Sequence, residues 1–192
     1  VNQLPSGTTF ANDATNAGFS FSLAGVFRHN DSKSSWGTNN SVKSAYPPIS
    51  PSTHLNIWVC EIGGGILGYA QFPGGNSSTD GVVLGGSYFG VTSGVYGGGR
   101  TATHEVGHYL NLRHIWGDGR CNADDYVLDT PIAGSSNAGC PTFPSISCKT
   151  ADMTMNYMDY TYDDCMYMFT DGQRNRMRAI FANGGARSSM RN

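Results

Sequence analysis

The stretch HEVGHYLNLRH, residues 104–114, constrains this chain most, because it holds three of the five histidines and one of the two glutamates. On an α-helix, residues four positions apart lie about 40° apart around the axis and one turn apart along it. His104 and His108 can therefore reach the same ion from one helix. His114 follows six residues later, and an unbroken helix would carry it about 9 Å further along the axis. The chain must turn back if the three histidines are to meet.

Asn111 stands where that turn is required. To bring His114 back, the helix must end after Leu110 or Asn111. A helix commonly ends with a residue in the left-handed backbone conformation just past its last turn; glycine is the usual residue there and asparagine is the accepted second. We therefore predict a left-handed Asn111 at the end of this helix.

The types and spacing of these residues are typical of catalytic zinc. In H-E-x-x-H sites the two histidines bind zinc, and the glutamate, here Glu105, is the general base rather than a ligand. Three neutral imidazoles leave one coordination position open, as a catalytic site requires. The alternative is a buried helix whose histidines only pack and form hydrogen bonds. The third histidine at this spacing favours a zinc site with ligands His104, His108 and His114.

The composition excludes several other classes of protein. A chain of 192 residues fits one domain with a sizeable core. The net charge is −2 and basic residues are scattered except near the C-terminus, which predicts no nucleic-acid binding. No apolar run approaches the roughly 18 residues of a membrane span. The opening VNQLPSG does not form a signal peptide, so we expect that a secreted protein would have lost its leader and pro-segment before residue 1.

Four of the five cysteines cluster after the histidine motif. Their loop-like spacing, with no C-x-x-C pair, favours two disulfides over a second metal site, and it leaves three pairings open. Disulfides indicate an oxidising, extracellular compartment. The fifth cysteine, Cys60, lies in an apolar run and is expected to be a buried free thiol. The clustered cysteines are Cys121, Cys140, Cys148 and Cys165.

Apolar patterning predicts strands before the motif and a second helix near the C-terminus. The second strand is a nearly continuous apolar run, LNIWVCEI, which favours a central place in its sheet. The predicted strands are 19–27, 55–62, 65–72 and 80–86. A helix is predicted at 171–182, with a T-x-x-Q capping box at Thr170 and Gln173 and an apolar stripe of core residues.

The segment GRTATHEVGHYLNLRHIWGD, residues 99–118, resembles the zinc motif of the metzincin proteases, H-E-x-x-H-x-x-G-x-x-H. Asn111 occupies the glycine position, as in some members of the pappalysin group. N-Y-M-D-Y resembles the methionine-containing turn of that group. With LNIWVCEIGGGILGYAQFPGG and FTDGQRNRMRAIF, the resemblance covers residues 19 to 182. It implies an α+β metzincin-like fold with a mixed, mostly parallel twisted sheet and an irregular, disulfide-stapled C-terminal part.

The resemblance also implies roles for individual residues. Met158 would form an apolar floor beneath the metal, and Tyr160 would assist the oxyanion; the alternative for Tyr160 is an ordinary core tyrosine. Asp164 would lie in the pocket for the residue after the cleaved bond and favour arginine or lysine there, unless it belongs to a solvated acidic turn. An extended substrate would lie along an edge strand near 68–72.

Further implications concern metal, disulfides and domains. Asp125 and Thr130, in the acidic loop CNADDYVLDTP, would bind calcium. The disulfides would be Cys121–Cys148 and Cys140–Cys165. The whole chain, 1–192, would be one catalytic domain, with the sheet and zinc helix in about 1–114 and the Met-turn and final helix in about 115–192. The family also predicts a helix before the first strand, which VNQLPSGTTFAND does not indicate.

The leading hypothesis is therefore a secreted zinc endopeptidase, acting on proteins or peptides as a monomer made with an N-terminal pro-segment. One alternative is a secreted binding module with a structural zinc site, although such a site would carry a fourth protein ligand and would not need Glu105. Another is an H-E-x-x-H hydrolase whose third ligand is a distant acid. Glu61, the only other glutamate, leaves that alternative little support.

Overall fold

The computed structural model describes residues 9–191. The helices are α1 Ser41–Ala45, α2 Arg100–Tyr109 and α3 Asp171–Ala179. The strands are β1 Ala14–Thr15, β2 Ile57–Cys60, β3 Gly68–Ala70, β4 Val82–Gly85, β5 Ala138–Gly139, β6 Ile146–Ser147, β7 Thr150–Ala151, β8 Tyr160–Thr161 and β9 Phe169–Thr170.

A mixed three-stranded sheet supports α2. Its order is β2-β4-β3, with β2 parallel and β3 antiparallel to β4. Val82, Val83 and Leu84 of β4 are fully buried, so the middle strand is β4. The central position predicted for residues 55–62 is therefore wrong within the described part of the chain. The run is apolar, yet β2 lies at an edge of the sheet, and Val59 is 47% exposed.

Residues 19–27 do not form the predicted strand. They have no regular secondary structure, and Leu23 is 82% exposed. Alternating apolar residues show only that a segment could be a half-buried strand; the strand also needs a neighbour for its backbone hydrogen bonds. No described strand lies beside this segment. The N-terminal helix expected from the resemblance falls largely on residues outside the described part, and residues 11–13 form a single 3₁₀ turn.

Short strand pairs and two disulfides organise the irregular C-terminal part. β5 pairs with β8 and β6 pairs with β7, each over two residues. Cys121 is bonded to Cys148 and Cys140 to Cys165, which is the pairing that the resemblance implies. Cys60 is a free thiol, partly rather than fully buried.

One hydrophobic core joins the two parts of the chain. Side chains of the sheet and of α2 pack in a single cluster with methionines from residues 153–177. Helix α3 begins with the predicted capping box: the Thr170 hydroxyl accepts from the Gln173 amide, and the Gln173 side chain accepts from the Thr170 amide. Met177 and Ile180 of its apolar stripe are buried. Within residues 9–191 no helix has the length and apolar character needed to cross a bilayer.

Candidate metal centre

The helix that carries the metal motif begins at a fixed point. Gly99 precedes α2 with a left-handed backbone, φ 78°. The Asp163 carboxylate accepts the Arg100 backbone N–H at 2.9 Å. A carboxylate at a helix N-terminus satisfies an otherwise unpaired donor and complements the helix dipole. Asp163 therefore ties the start of α2 to the segment that follows the Met-turn.

The helix ends where the histidine spacing requires. Asn111 has φ 81°, the left-handed conformation predicted for it. The Leu112 amide donates to the Gly107 carbonyl and the Asn111 amide to the His108 carbonyl, each at 2.9 Å. These two bonds form a Schellman motif, with asparagine in the place that glycine usually takes. The chain reverses at this point and returns His114 to the helix.

The three histidines converge. The Nε2 atom of His108 lies 3.1 Å from Nε2 of His104 and 3.1 Å from Nε2 of His114. Zinc bound tetrahedrally with bonds of 2.0–2.1 Å would hold its nitrogen ligands about 3.3 Å apart, so the spacing fits the ion. In the described part of the chain, this is the one group of at least three histidine, cysteine, aspartate or glutamate residues arranged to hold a metal.

The hydrogen bonds of the Nδ1 atoms show which ring nitrogen of each helical histidine carries the proton. Nδ1 of His104 donates to the Tyr157 carbonyl at 2.7 Å, and Nδ1 of His108 donates to the Leu112 carbonyl at 2.8 Å. A carbonyl oxygen can only accept, so these Nδ1 atoms carry the protons. The Nε2 atoms therefore present lone pairs to one another, an arrangement that repels unless a cation lies between them. This chemistry fits zinc and its usual outer hydrogen bonds.

His114 is held by two residues that the sequence did not indicate. Its Nδ1 contacts the Asp118 carboxylate, and its ring stacks on Trp116 with the centroids 4.3 Å apart and the planes within 4°. Aspartate four residues after a predicted ligand is the signal that could have found Asp118, since metal-binding histidines commonly donate to a carboxylate. The position of Trp116 has no comparable sequence signal.

Burial keeps the imidazoles neutral. Desolvation, followed by the charge of neighbouring histidines, lowers the pKa of His104 well below its usual value and that of His108 to about 4. Desolvation also lowers the pKa of His114, opposed by its bond to Asp118. Neutral imidazole is the form that binds a metal ion.

Glu105 lies beside the histidines and against the edge strand β3. It is 8% exposed, and desolvation raises the pKa of its carboxyl to about 8. A Cβ atom at Gly68 of β3 would come within 2.9 Å of the Glu105 Cγ and 3.0 Å of the Val83 carbonyl. Glycine at position 68 therefore lets the strand backbone pass directly alongside the glutamate.

The Met-turn packs beneath the helix. Met158 is fully buried, and a Cβ atom at Gly107 would lie 2.5 Å from its Sδ. Glycine between the two helical histidines thus makes room for the methionine side chain against the helix. The Asn156 Oδ1 accepts from the Met158 amide, and the Asn156 and Gln173 side-chain amides bond each other reciprocally at 2.8 and 3.0 Å. The start of α3 therefore holds the Met-turn.

A cleft of about 380 Å³ opens in front of Glu105. The Tyr160 ring lies at its wall, with its centroid 4.9 Å from that of His114 and 5.6 Å from that of His104. Asp159 is fully buried; its carboxylate accepts from the Tyr160 and Asn137 amides and orients this segment. Apolar side chains of the wall include Ile66, Leu67, Ala138 and Met166.

The two aspartates after the Met-turn point to different sides. They belong to one short turn, residues 163–165. Asp163 is buried and lines the cleft, whereas Asp164 is exposed and does not. The carboxylate that reaches the cleft is therefore that of Asp163 rather than the predicted Asp164.

Carboxylate oxygens of the acidic loop accept hydrogen bonds from other groups of the protein. Asp125 is buried; its carboxylate accepts from the Val127 amide at 3.0 Å and from the Thr130 hydroxyl at 2.8 Å. Burial raises the pKa of Asp125 to about 6. The Asp129 carboxylate accepts from the Thr170 hydroxyl and the Gly172 amide, which joins the loop to the start of α3. Asp125 and Thr130, the predicted calcium ligands, therefore lie together and already bond each other.

A three-histidine centre on a helix that ends in a left-handed turn, with a methionine packed beneath that helix, defines the metzincin class. The family model for Peptidase_M43, described as pregnancy-associated plasma protein-A, matches residues 26–182. The chain belongs to this family, the pappalysins.

Curated relatives and solved structures agree with this assignment. An extracellular metalloprotease of Arthroderma benhamiae is 35% identical over 173 residues, which is 84% of this chain and 63% of the relative. One of Sordaria macrospora is 36% identical over 169 residues, covering 82% of this chain and 59% of the relative. The chain thus spans about three fifths of the length of these relatives. Mature mirolysin of Tannerella forsythia, solved with a cleaved peptide, is 42% identical with a TM-score of 0.90, covering 97% of this chain and 78% of mirolysin.

Proposed function

We propose that this chain is the catalytic domain of a secreted zinc endopeptidase. The observation that carries the proposal is the convergence of three Nε2 lone pairs beside a buried glutamate, at the mouth of a cleft. Membership of the pappalysin family and the extracellular metalloprotease names of its relatives support it. The shared hydrophobic core supports the interpretation of residues 1–192 as one domain with two parts.

His104, His108 and His114 would hold the zinc ion. When bound, zinc supplies a Lewis acid that polarises the scissile carbonyl and lowers the pKa of water towards neutrality. Glu105 takes the proton from the attacking water and delivers it to the departing amine. Its position favours this role, because the Glu105 side chain is buried beside the three histidines and lines the cleft.

The cleft orients the substrate. β3 is an edge strand, so its outer backbone groups can bond to an extended peptide. Gly68 brings that strand alongside Glu105, which would place the peptide backbone in front of the base. The Tyr160 ring lies close to two of the histidines, and its hydroxyl would donate a hydrogen bond to the developing oxyanion.

We extend the proposal to a preference for arginine or lysine after the cleaved bond. Support comes from Asp163, which lines the cleft. A carboxylate at a pocket pairs well with a basic side chain. Cleavage products from a denatured proteome would be enriched in these residues just after the cut, and the enrichment would fall in Asp163→Asn. Products with no such enrichment would remove the preference.

Casein hydrolysis provides the main test. Activity is expected to vanish on treatment with a zinc chelator and return on adding zinc. Glu105→Gln should bind zinc as the wild type does and lower kcat by about 100- to 10,000-fold, since it removes only the general base. The matched control is Glu61→Gln, because Glu61 is exposed and does not line the cleft. Zinc binding without hydrolysis in the wild type would favour a binding module instead.

Two further proposals rest on the family. The acidic loop would bind calcium through Asp125 and Thr130, because each carboxylate oxygen keeps a second lone pair beyond its protein bond. An N-terminal pro-segment would precede the catalytic domain in a precursor; a solved structure of promirolysin, 42% identical to this chain, supports this. Gel filtration of the purified domain would test the expected monomer.

A further inference from the structure

The end of α2 leaves carbonyl groups that the Schellman motif does not satisfy. That motif uses the carbonyls of Gly107 and His108. The carbonyl of Tyr109 accepts from Nε of Arg187 at 3.1 Å, and the carbonyl of Asn111 accepts from Nε of Arg176 at 2.8 Å. Cationic donors at a helix C-terminus complement its partial negative charge. Arg176 and Arg187 thus add two donors at the C-terminal end of the metal helix.

The two arginines act at different places. Arg187 is buried, pairs with Asp80 and bonds a carbonyl inside the last turn of the helix. Arg176 bonds the left-handed residue itself, in the segment that leads directly to the third histidine. Its guanidinium also lies over the Tyr126 ring, 5.6 Å from the centroid, which restricts its orientation. Arg176 is thus the arginine placed to control the turn.

We propose that Arg176 is a positioning residue for the third metal ligand, a role that rests on the proposed zinc function. Only two residues separate Asn111 from His114, so the direction of the Asn111 carbonyl fixes the path of the chain into His114. The left-handed conformation costs energy for a non-glycine residue, although less for asparagine than for most, so it persists where the surroundings hold it. The bond from Arg176 holds it, and through it sets the distance of His114 from the two helical histidines.

Arg176 stands on a helix that is itself anchored to the Met-turn. Gln173, three residues earlier, bonds Asn156, and Asn156 bonds the Met158 amide. One rigid helix therefore supports the methionine under the metal centre and the turn that delivers the third histidine. Because residues three apart on a helix share a face, both contacts move together with α3.

The test compares three variants at one position. Arg176→Met keeps the aliphatic stem but removes the donor, and should weaken zinc binding about tenfold, as measured by competition with a chromogenic chelator. Arg176→Gln places a side-chain N–H where Nε lies in arginine, so its zinc affinity should stay close to that of the wild type. Arg178→Met is the matched control, because Arg178 is exposed on the same helix and should leave zinc affinity unchanged.

A double-mutant cycle separates positioning from general stability. In a His114→Ala background, Arg176→Met should cause no further loss of zinc affinity, since the ligand it positions is gone. The cobalt-substituted Arg176→Met protein should also show an altered visible spectrum. An equal loss in both backgrounds would overturn the proposal, and so would an unchanged affinity in Arg176→Met or an Arg176→Gln protein as weak as Arg176→Met.

Zinc binding by the wild type distinguishes a failure of the proposed function from a failure of the proposed role of Arg176. A wild type that binds no zinc refutes the proposed function, whereas a wild type that binds zinc with unchanged affinity in Arg176→Met refutes only the role of Arg176. If Arg176→Met does not fold, as judged by circular dichroism of the metal-free protein, Arg176→Glu replaces it. Glutamate sets an oxygen against the Asn111 carbonyl, so a folded Arg176→Glu with wild-type zinc affinity would contradict the proposal.

Discussion

The metal centre and the acidic loop at 121–131 are both candidate cation sites, but they differ in whether their ligand atoms already have hydrogen-bond partners in the protein. In the centre, the Nε2 atom of His108 lies 3.1 Å from those of His104 and His114, and every Nδ1 has a fixed partner. In the loop, both oxygens of Asp125 already accept hydrogen bonds from the protein. The first arrangement favours a cation between the facing lone pairs, whereas in the second each carboxylate oxygen already accepts a hydrogen bond from the protein.

The two sites should therefore depend on a bound ion to different degrees. A site whose lone pairs face one another gains most of its stability from the ion, and its precision depends on the contacts that aim each ligand. A loop whose oxygens already have donors is folded before an ion arrives, so an ion only adds to it. The metal centre should therefore respond strongly to changes in its surroundings, and the loop weakly.

Gly107→Ala should produce the largest change. Alanine in a helix is normally more stable than glycine, yet here the new Cβ would lie 2.5 Å from the Met158 Sδ. The overpacking should lower the free energy of unfolding by about 1–3 kcal/mol, as measured by urea denaturation. Gly63→Ala is the control, because its Cβ would meet its nearest neighbour at 3.7 Å, an ordinary contact. A stabilised Gly107→Ala protein would show that Met158 can move aside to accommodate the new methyl group.

Asp118→Ala should come next. Without the carboxylate, His114 loses the partner of its Nδ1, and zinc affinity should fall by about 10- to 100-fold in a chelator competition. Asp124→Ala is the matched change in the loop, where the carboxylate accepts a backbone amide two residues on. Equal zinc affinities for the two variants would remove the distinction between centre and loop.

Calcium should give the smallest effect. At a concentration ten times its Kd, calcium would add about 1.4 kcal/mol of stability. That corresponds to a rise in Tm of roughly 3–6 °C for a chain of this size. The rise should disappear in Asp125→Asn. If scanning calorimetry finds no shift in the wild type, the loop is a self-contained turn and the calcium proposal falls.

Local chemistry determined which features could be predicted from the sequence. The left-handed Asn111 and the capping box at Thr170 depend on residues within a few positions, and both are observed. The strand at 19–27 and the central place of 55–62 depend on which strands lie alongside, and both predictions were wrong for the described residues.

The same reasoning applies to the candidate site. The histidines converge because their spacing and the turn bring them together. Some contacts that orient this segment come from distant parts of the chain, as with the Tyr157 carbonyl and the arginine of α3, whereas His108 and His114 are held by residues four positions away. The choice between Asp163 and Asp164 depended on which side of a three-residue turn faces the cleft, and sequence pattern does not determine that.

Because Asp163 has two separate contacts, a substitution at this position would have two effects at once. Its carboxylate lines the cleft and also bonds the first amide of the metal helix. Replacing it to change the proposed specificity would also loosen the start of α2, which carries two of the proposed zinc ligands. Ile66 and Met166 line the same cleft and are therefore alternative positions at which the proposed specificity could be changed.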